Sequence, residues 1–213
     1  MRLFLSFCLV VAASLPATAA GAKPATDKSG RAYVNASVRG SLSNYYDIRE
    51  YNTDIWLNVH MWGNSVDFNG RPFSGDIWGG GNWFSVTGSG LSGSINRWGN
   101  AYDVRVTVTD MDGKRHDLDF TMYANGRTDD PKRPPHFSVF NGDASLDVRP
   151  VFGLREYSVN GWVDKEKFGS AGTVFACLVA TMVMHELSEK QNEKSLPKAA
   201  WLKESPVFRA GFD

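Results

Sequence analysis

"YDVRVTVTDMDGKRHDLDFTMY", running from Tyr102 to Tyr123, reads as a β-hairpin. Tyr102, Val104, Val106 and Val108 alternate with Asp103, Arg105, Thr107 and Thr109. Beyond Asp112-Gly113 the alternation resumes, with Leu118, Phe120 and Met122 set against Asp117, Asp119 and Thr121. Successive strand side chains point to opposite faces, so this period marks strands with one face in a core. Asp-Gly supplies the positive φ that a tight hairpin turn demands.

The same grammar extends outward. Ile55, Leu57, Val59 and Met61 alternate with Trp56, Asn58, His60 and Trp62. Turn signals at Asn69-Gly70, Asn125-Gly126, Asn141-Gly142 and Asn160-Gly161 punctuate the chain. The spacing predicts about eight to ten short strands, a mainly β fold that is an antiparallel β-barrel or sandwich. "GRTDDPKRPPH" (126–136) reads as a polar, proline-rich loop within it.

After Val163 the alternation stops. One long C-terminal α-helix is expected over about 170–191, packed on the β domain, before Pro197 breaks the chain. Its first half, Ala171 to Met184, carries no charge on any face. A helix apolar all round is buried in protein or embedded in lipid. Residues 170–184 reach about 22 Å, short of the ~30 Å hydrocarbon core. Burial against the sheet or inside an open barrel is the leading expectation, with conditional membrane insertion or burial against a partner chain as alternatives. Cys177, inside "VFACLVAT", reads as buried packing, although a lone thiol could be reactive or pair between chains.

The N-terminus reads as a secretory signal. Arg2 precedes an uncharged stretch from Leu3 to Leu15, and Ala17-Thr18-Ala19 has the small-x-small form of a cleavage site. The expected organisation is a signal peptide over 1–19, a flexible mature N-terminus over 20–31, one β-rich domain over 32–195 and a tail over 196–213. Lys and Arg number 23, as do Asp and Glu, so loss of Arg2 leaves a net charge of −1. Without a basic surplus, nucleic acid is not an expected partner. Export places the protein outside the cytoplasm, secreted or periplasmic.

Motifs for chemistry are scarce. Gly88-Ser89-Gly90-Leu91-Ser92-Gly93 fits G-x-G-x-x-G, but "SINRWGNAYDV" follows it and leads into a strand. A dinucleotide loop needs a helix N-terminus there to receive the phosphates, so these glycines are read as strand punctuation and no cofactor is expected. His60, His116, His136 and His185 show no metal spacing. "HELSE" puts Glu189 where a zinc-protease signature has its second histidine; His185 and Glu189 are read as a solvated helix end. No nucleophile elbow and no catalytic residue is assigned.

Aromatic residues are the exception. Trp56, Trp62, Trp78, Trp83 and Trp98 crowd one stretch with Asn and Gly. Rigid rings beside Asn and Asp suit sugars and flat ligands. Trp56, His60 and Trp62 share the strand face opposite the aliphatic one, which is either a second buried layer or an exposed aromatic surface. The candidate ligand-binding set is therefore Trp56, His60, Trp62, Trp78, Trp83 and Trp98.

The order "VHMWGN…DFNG…WGGGNW" followed by "YDVRVTV…MDG…LDFTMYANG" resembles the Vap virulence-associated proteins of actinobacterial intracellular pathogens. The matching positions are Gly63, Asn64, Phe68, Gly70, Gly79, Gly80, Gly81, Trp83, Asp112 and Gly113, within about residues 59–126. This resemblance implies a small, closed, secreted β-barrel acting on host compartments, and it transfers no catalytic residue. The apolar helix, Cys177 and the charged C-terminus depart from it.

The expected function is that of an exported non-enzymatic binding protein, engaging a protein, glycan or lipid ligand through its Trp-rich region. Two alternatives stand beside it: a membrane-active protein inserting residues 170–184, and a secreted hydrolase with an unrecognised site.

Overall fold

The computed structural model describes residues 30–42, 44–109, 113–151 and 155–195. The expected signal peptide, nearly all of the 20–31 segment and the 196–213 tail lie outside the described residues. Among the described residues twelve strands run in chain order. The first six are β1 (Arg31–Leu42), β2 (Tyr45–Glu50), β3 (Trp56–Trp62), β4 (Ser65–Arg71), β5 (Gly75–Gly80) and β6 (Trp83–Gly88). The rest are β7 (Leu91–Trp98), β8 (Ala101–Thr109), β9 (Arg115–Asn125), β10 (His136–Phe140), β11 (Ala144–Pro150) and β12 (Glu156–Asp164). One helix follows, α1 (Gly169–Ser195).

Each strand pairs antiparallel with the next, and β12 returns to pair with β1, from Arg31 opposite Asp164 to Arg39 opposite Glu156. The result is a closed up-and-down barrel with no free edge. The Tyr102–Tyr123 hairpin holds: Tyr102 faces Met122 and Val106 faces Leu118 across β8 and β9. The barrel has more strands than the eight to ten that turn spacing suggests.

Two of the Asn-Gly signals are not turns. Gly70 lies inside β4 and Gly161 inside β12. A Cβ at Gly70 would stand 2.0 Å from the carbonyl oxygen of Trp56, and one at Gly161 would stand 2.0 Å from that of Ser145. Both glycines let neighbouring backbones close up where a curved sheet brings them together. Asn125-Gly126 and Asn141-Gly142 do close strands, and Asn141 Oδ1 accepts bonds from the amides of Asp143 and Ala144. The Gly88–Gly93 motif forms the β6–β7 hairpin, as the sequence reading has it.

Inward side chains of the strands are apolar and buried, including Ile48, Leu57, Val59, Ile77, Val104, Phe137 and Val159. Outward ones are largely polar, as in Asp47, Asn58, Asp67, Arg105, Asp119 and Asp147. This is the reverse of the alternation of a lipid-facing barrel. Helix α1 is buried without interruption over residues 172–185. It lies against β1, β2, β8, β9 and β12 and joins the same core cluster as their inward residues. A helix on the outer surface would leave one side open to water, so α1 runs through the lumen. It is thus inside the barrel rather than packed on it. An eight-strand barrel is filled by side chains alone, whereas a larger one has room for a helix about 10 Å across.

This position accounts for the missing amphipathic stripe. Val174, Phe175, Leu178, Val179, Val183 and Met184 meet barrel wall in every direction. Cys177 is fully buried among them, in accord with the packing reading, and burial pushes its thiol up to about 12. Thr181 satisfies its hydroxyl on the Cys177 carbonyl at 2.9 Å. By length and composition α1 could cross a membrane, yet 83% of its apolar window is buried. Residues 172–185 present no outward face in this state.

Candidate functional site

The strand ends divide the barrel into two rims. Gly63-Asn64, Gly81-Asn82, Gly99-Asn100 and the 126–135 loop lie at the rim where the polar half of α1 emerges. The connection from β12 into α1 lies at the other, where Phe168 packs on Phe120 with ring centroids 5.0 Å apart.

On the outer wall, five of the six candidate residues, all but Trp56, gather toward the first rim. Trp62 ends β3, Trp83 begins β6 and Trp98 ends β7, while Trp78 sits three residues before the β5–β6 turn. The exposed-surface alternative holds for every one of these tryptophans. Relative exposure is 63% at Trp62, 51% at Trp78, 47% at Trp83 and 69% at Trp98. Trp78 meets Trp83 edge-on, with centroids 6.0 Å apart. Tyr45 stacks on His60 at 4.0 Å with the planes 7° apart, and His60 meets Trp62 at 4.1 Å. The register explains these contacts, because Tyr45 lies directly opposite His60 across β2 and β3. Trp62 lies opposite Ser65, and Ser65 lies opposite Trp78. Trp56 does not join them. It starts β3, six residues and about 20 Å from Trp62, between Arg49 and Arg71.

Hydrogen-bonding side chains fill the spaces between rings. Ser65, Ser85, Asp67, Asp76 and Asn96 share the outward face of these strands. The wall thus alternates flat apolar platforms with short polar groups over five adjacent strands, β3 to β7.

Inside the same rim lies a cavity of about 400 Å³ above the last buried turn of α1. Met61, Val66, Phe84, Met182 and Val183 form its apolar part, and Asn64, Asn82, Arg97, Tyr102 and His185 its polar part. Arg97 falls on the inward side of β7, where Leu91 and Ile95 precede it, and is directly opposite Tyr102 on β8. Its guanidinium donates to Glu186 Oε2 and to Thr128 Oγ1, both at 3.0 Å, tying strand, helix and loop. Lys190 donates to the other Glu186 oxygen at 2.7 Å.

His185 corrects the reading of a solvated helix end. Only 2% of it is exposed, because the lumen wall surrounds this turn. Its Nδ1 lies 3.2 Å from the Tyr46 hydroxyl and its Nε2 lies 3.3 Å from Glu189 Oε1. Burial pushes the Tyr46 phenol up to about 12, against a hydrogen bond with Ser188 that lowers it. Burial likewise pushes Tyr102 up to about 12, with Arg97 acting in the opposite direction. Both phenols stay neutral near pH 7. The Tyr102 hydroxyl is fully buried and makes no hydrogen bond among the described residues.

The mouth residues Tyr46, Arg97, Tyr102 and Glu186 are absent from the sequence-derived candidates, as is Tyr45 on the wall. Arg97 carried a usable signal, a charge in an inward slot of an alternating strand. Tyr102 carried none, since its alternation is that of a core residue. Among the described residues no group of three or more His, Cys, Asp or Glu side chains could hold a metal ion. Comparison with protein-family models, curated proteins and solved structures found no match to this chain.

Proposed function

We propose that this chain is an exported, non-enzymatic binding protein, of the host- or partner-interaction kind that the Vap resemblance implies. Its ligand is a glycan laid along the outer aromatic wall of β3 to β7. The observation that carries this reading is the exposure of Trp62, Trp78 and Trp83 in fixed cross-strand register, with Ser65 between Trp62 and Trp78, Ser85 directly across from Trp78 and Asn96 directly across from Trp83. Sugar rings offer C–H faces that stack on aromatic platforms and equatorial hydroxyls that meet short polar side chains. Rings held by a barrel strand lose little entropy on binding, which favours recognition.

Titration of soluble oligosaccharides and insoluble polysaccharides against the folded protein, followed by tryptophan fluorescence, tests this. Binding that weakens tenfold or more in Trp62→Ala and Trp83→Ala, but not in Trp56→Ala, supports it. Absence of any glycan binding, or equal binding by all three variants, overturns it. The hydrolase alternative gains nothing from the mouth, where Glu186 is engaged by Arg97 and Lys190 and Glu189 by His185.

A further inference from the structure

We propose that the mouth cavity is a subsite for an acetamido group, so that the ligand of the outer wall is an N-acetylated glycan. This rests on the glycan reading and specifies its substrate. The starting point is the Tyr102 hydroxyl, 2% of the residue being exposed, which lines a cavity and has no partner among the described residues. A buried hydroxyl without a partner is costly, and a ligand atom that accepts its proton removes that cost.

Three properties of the cavity select the ligand chemistry. Charges of both signs line it, Arg97 beside Glu186 and Glu189, so both an anion and a cation meet a like charge there. An uncharged group meets no such opposition. Its polar and apolar parts are adjacent, with Tyr102 and Asn82 near Met182 and Val183. An acetamido group matches this division. Its carbonyl accepts from the Tyr102 hydroxyl, its N–H donates to a side-chain amide oxygen, and its methyl packs on the helix. A bare sugar hydroxyl offers no apolar end.

The cavity also adjoins the wall through the chain itself. Asn64 follows Trp62 by two residues, and Asn82 immediately precedes Trp83. A glycan lying across Trp62 and Trp83 therefore passes the rim at the cavity mouth.

The test compares chitotriose with cellotriose, which share their linkage and differ in the acetamido groups, by calorimetry on the full chain. Chitotriose is expected to bind about tenfold more tightly, the worth of one good buried hydrogen bond with its methyl contact. Tyr102→Phe should abolish that preference while leaving cellotriose binding and the thermal midpoint intact or the midpoint raised. Asn82→Ala, at an exposed turn, provides a second variant with the same expected loss of preference. A peptidoglycan disaccharide in parallel distinguishes a wall-derived from a chitin-type source, and Tyr102-dependent binding of either supports the proposal. Equal affinity for the two trisaccharides, or a preference unchanged in both variants, overturns the subsite while the wall reading stands. Failure of every sugar to bind overturns both.

Discussion

The hydroxyl of Tyr46 on β2 lies 3.2 Å from Nδ1 of His185 on α1, linking the barrel wall to its central helix at the turn where the helix leaves the lumen. The rings also meet edge-on, with centroids 6.0 Å apart. Tyr46→Phe keeps the ring and leaves Nδ1 of a buried imidazole without this partner. The expected loss is about 1–3 kcal/mol in urea denaturation. Removing both groups, in Tyr46→Phe with His185→Leu, should be less destabilising than the two single losses added together. Additive losses would show that the pair is not coupled.

Alkaline pH should destabilise the barrel in a defined window. Tyr46, Tyr102 and Cys177 are each pushed up to about 12 by burial, from ordinary values of 10.0, 10.0 and 9.0. Tyr157 is raised as well, again by burial. With folded-state values above unfolded ones, the folded state holds more protons between the two. Stability is therefore fully present below pH 9 and falls as pH rises toward 12. Urea midpoints measured across this range should decline steadily, and Tyr102→Phe should reduce the slope. A flat profile to pH 12 would contradict the burial of these groups.

How far the sequence discloses this architecture depends on the range of the interactions. The strands β3, β8 and β9 are legible because alternation is a property of the strand itself. Gly70 and Gly161 mislead because Asn-Gly is a local turn signal, while their function is set by a carbonyl on the neighbouring strand. The uniform apolarity of 171–184 announces full burial, but placing the helix in the lumen requires knowing that β1 meets β12 across more than a hundred residues. The wall is half legible. Parity puts Trp56, His60 and Trp62 on one face, but exposure of that face follows from the helix filling the other. The Arg97–Glu186 contact spans 89 residues and has no local sign beyond a charge in an inward slot.

Cys177 offers a probe of the lumen. Its thiol is fully buried on a helix enclosed by the barrel, and the thiolate is the reactive form. In the native protein at pH 8 it should react with a disulfide reagent only as fast as the barrel opens. Adding denaturant should accelerate labelling in proportion to the unfolded population. Rapid stoichiometric labelling under native conditions would mean that α1 leaves the lumen readily. That result would favour the membrane-active alternative, and flotation of the intact protein with liposomes would then follow.

Gly70 tests the closure of the barrel without touching any charge or the mouth cavity. Its Cα sits opposite Leu57 in the β3–β4 pairing, and a Cβ there would stand 2.0 Å from Trp56 O and 2.8 Å from the Leu57 Cα. Both are backbone atoms, so no side-chain rotation relieves the clash. Gly70→Ala must push β3 from β4 at a place where the closed ring leaves no edge to yield. The expected destabilisation is at least the ~1–3 kcal/mol of an overpacked core. Gly142→Ala, at an exposed turn with nothing within 4 Å of its Cβ, serves as the control and should change the denaturation midpoint little. If Gly70→Ala were as mild as this control, the tight β3–β4 approach would be wrong. The outward placement of Trp56, whose carbonyl makes that approach, would then need to be reconsidered as well.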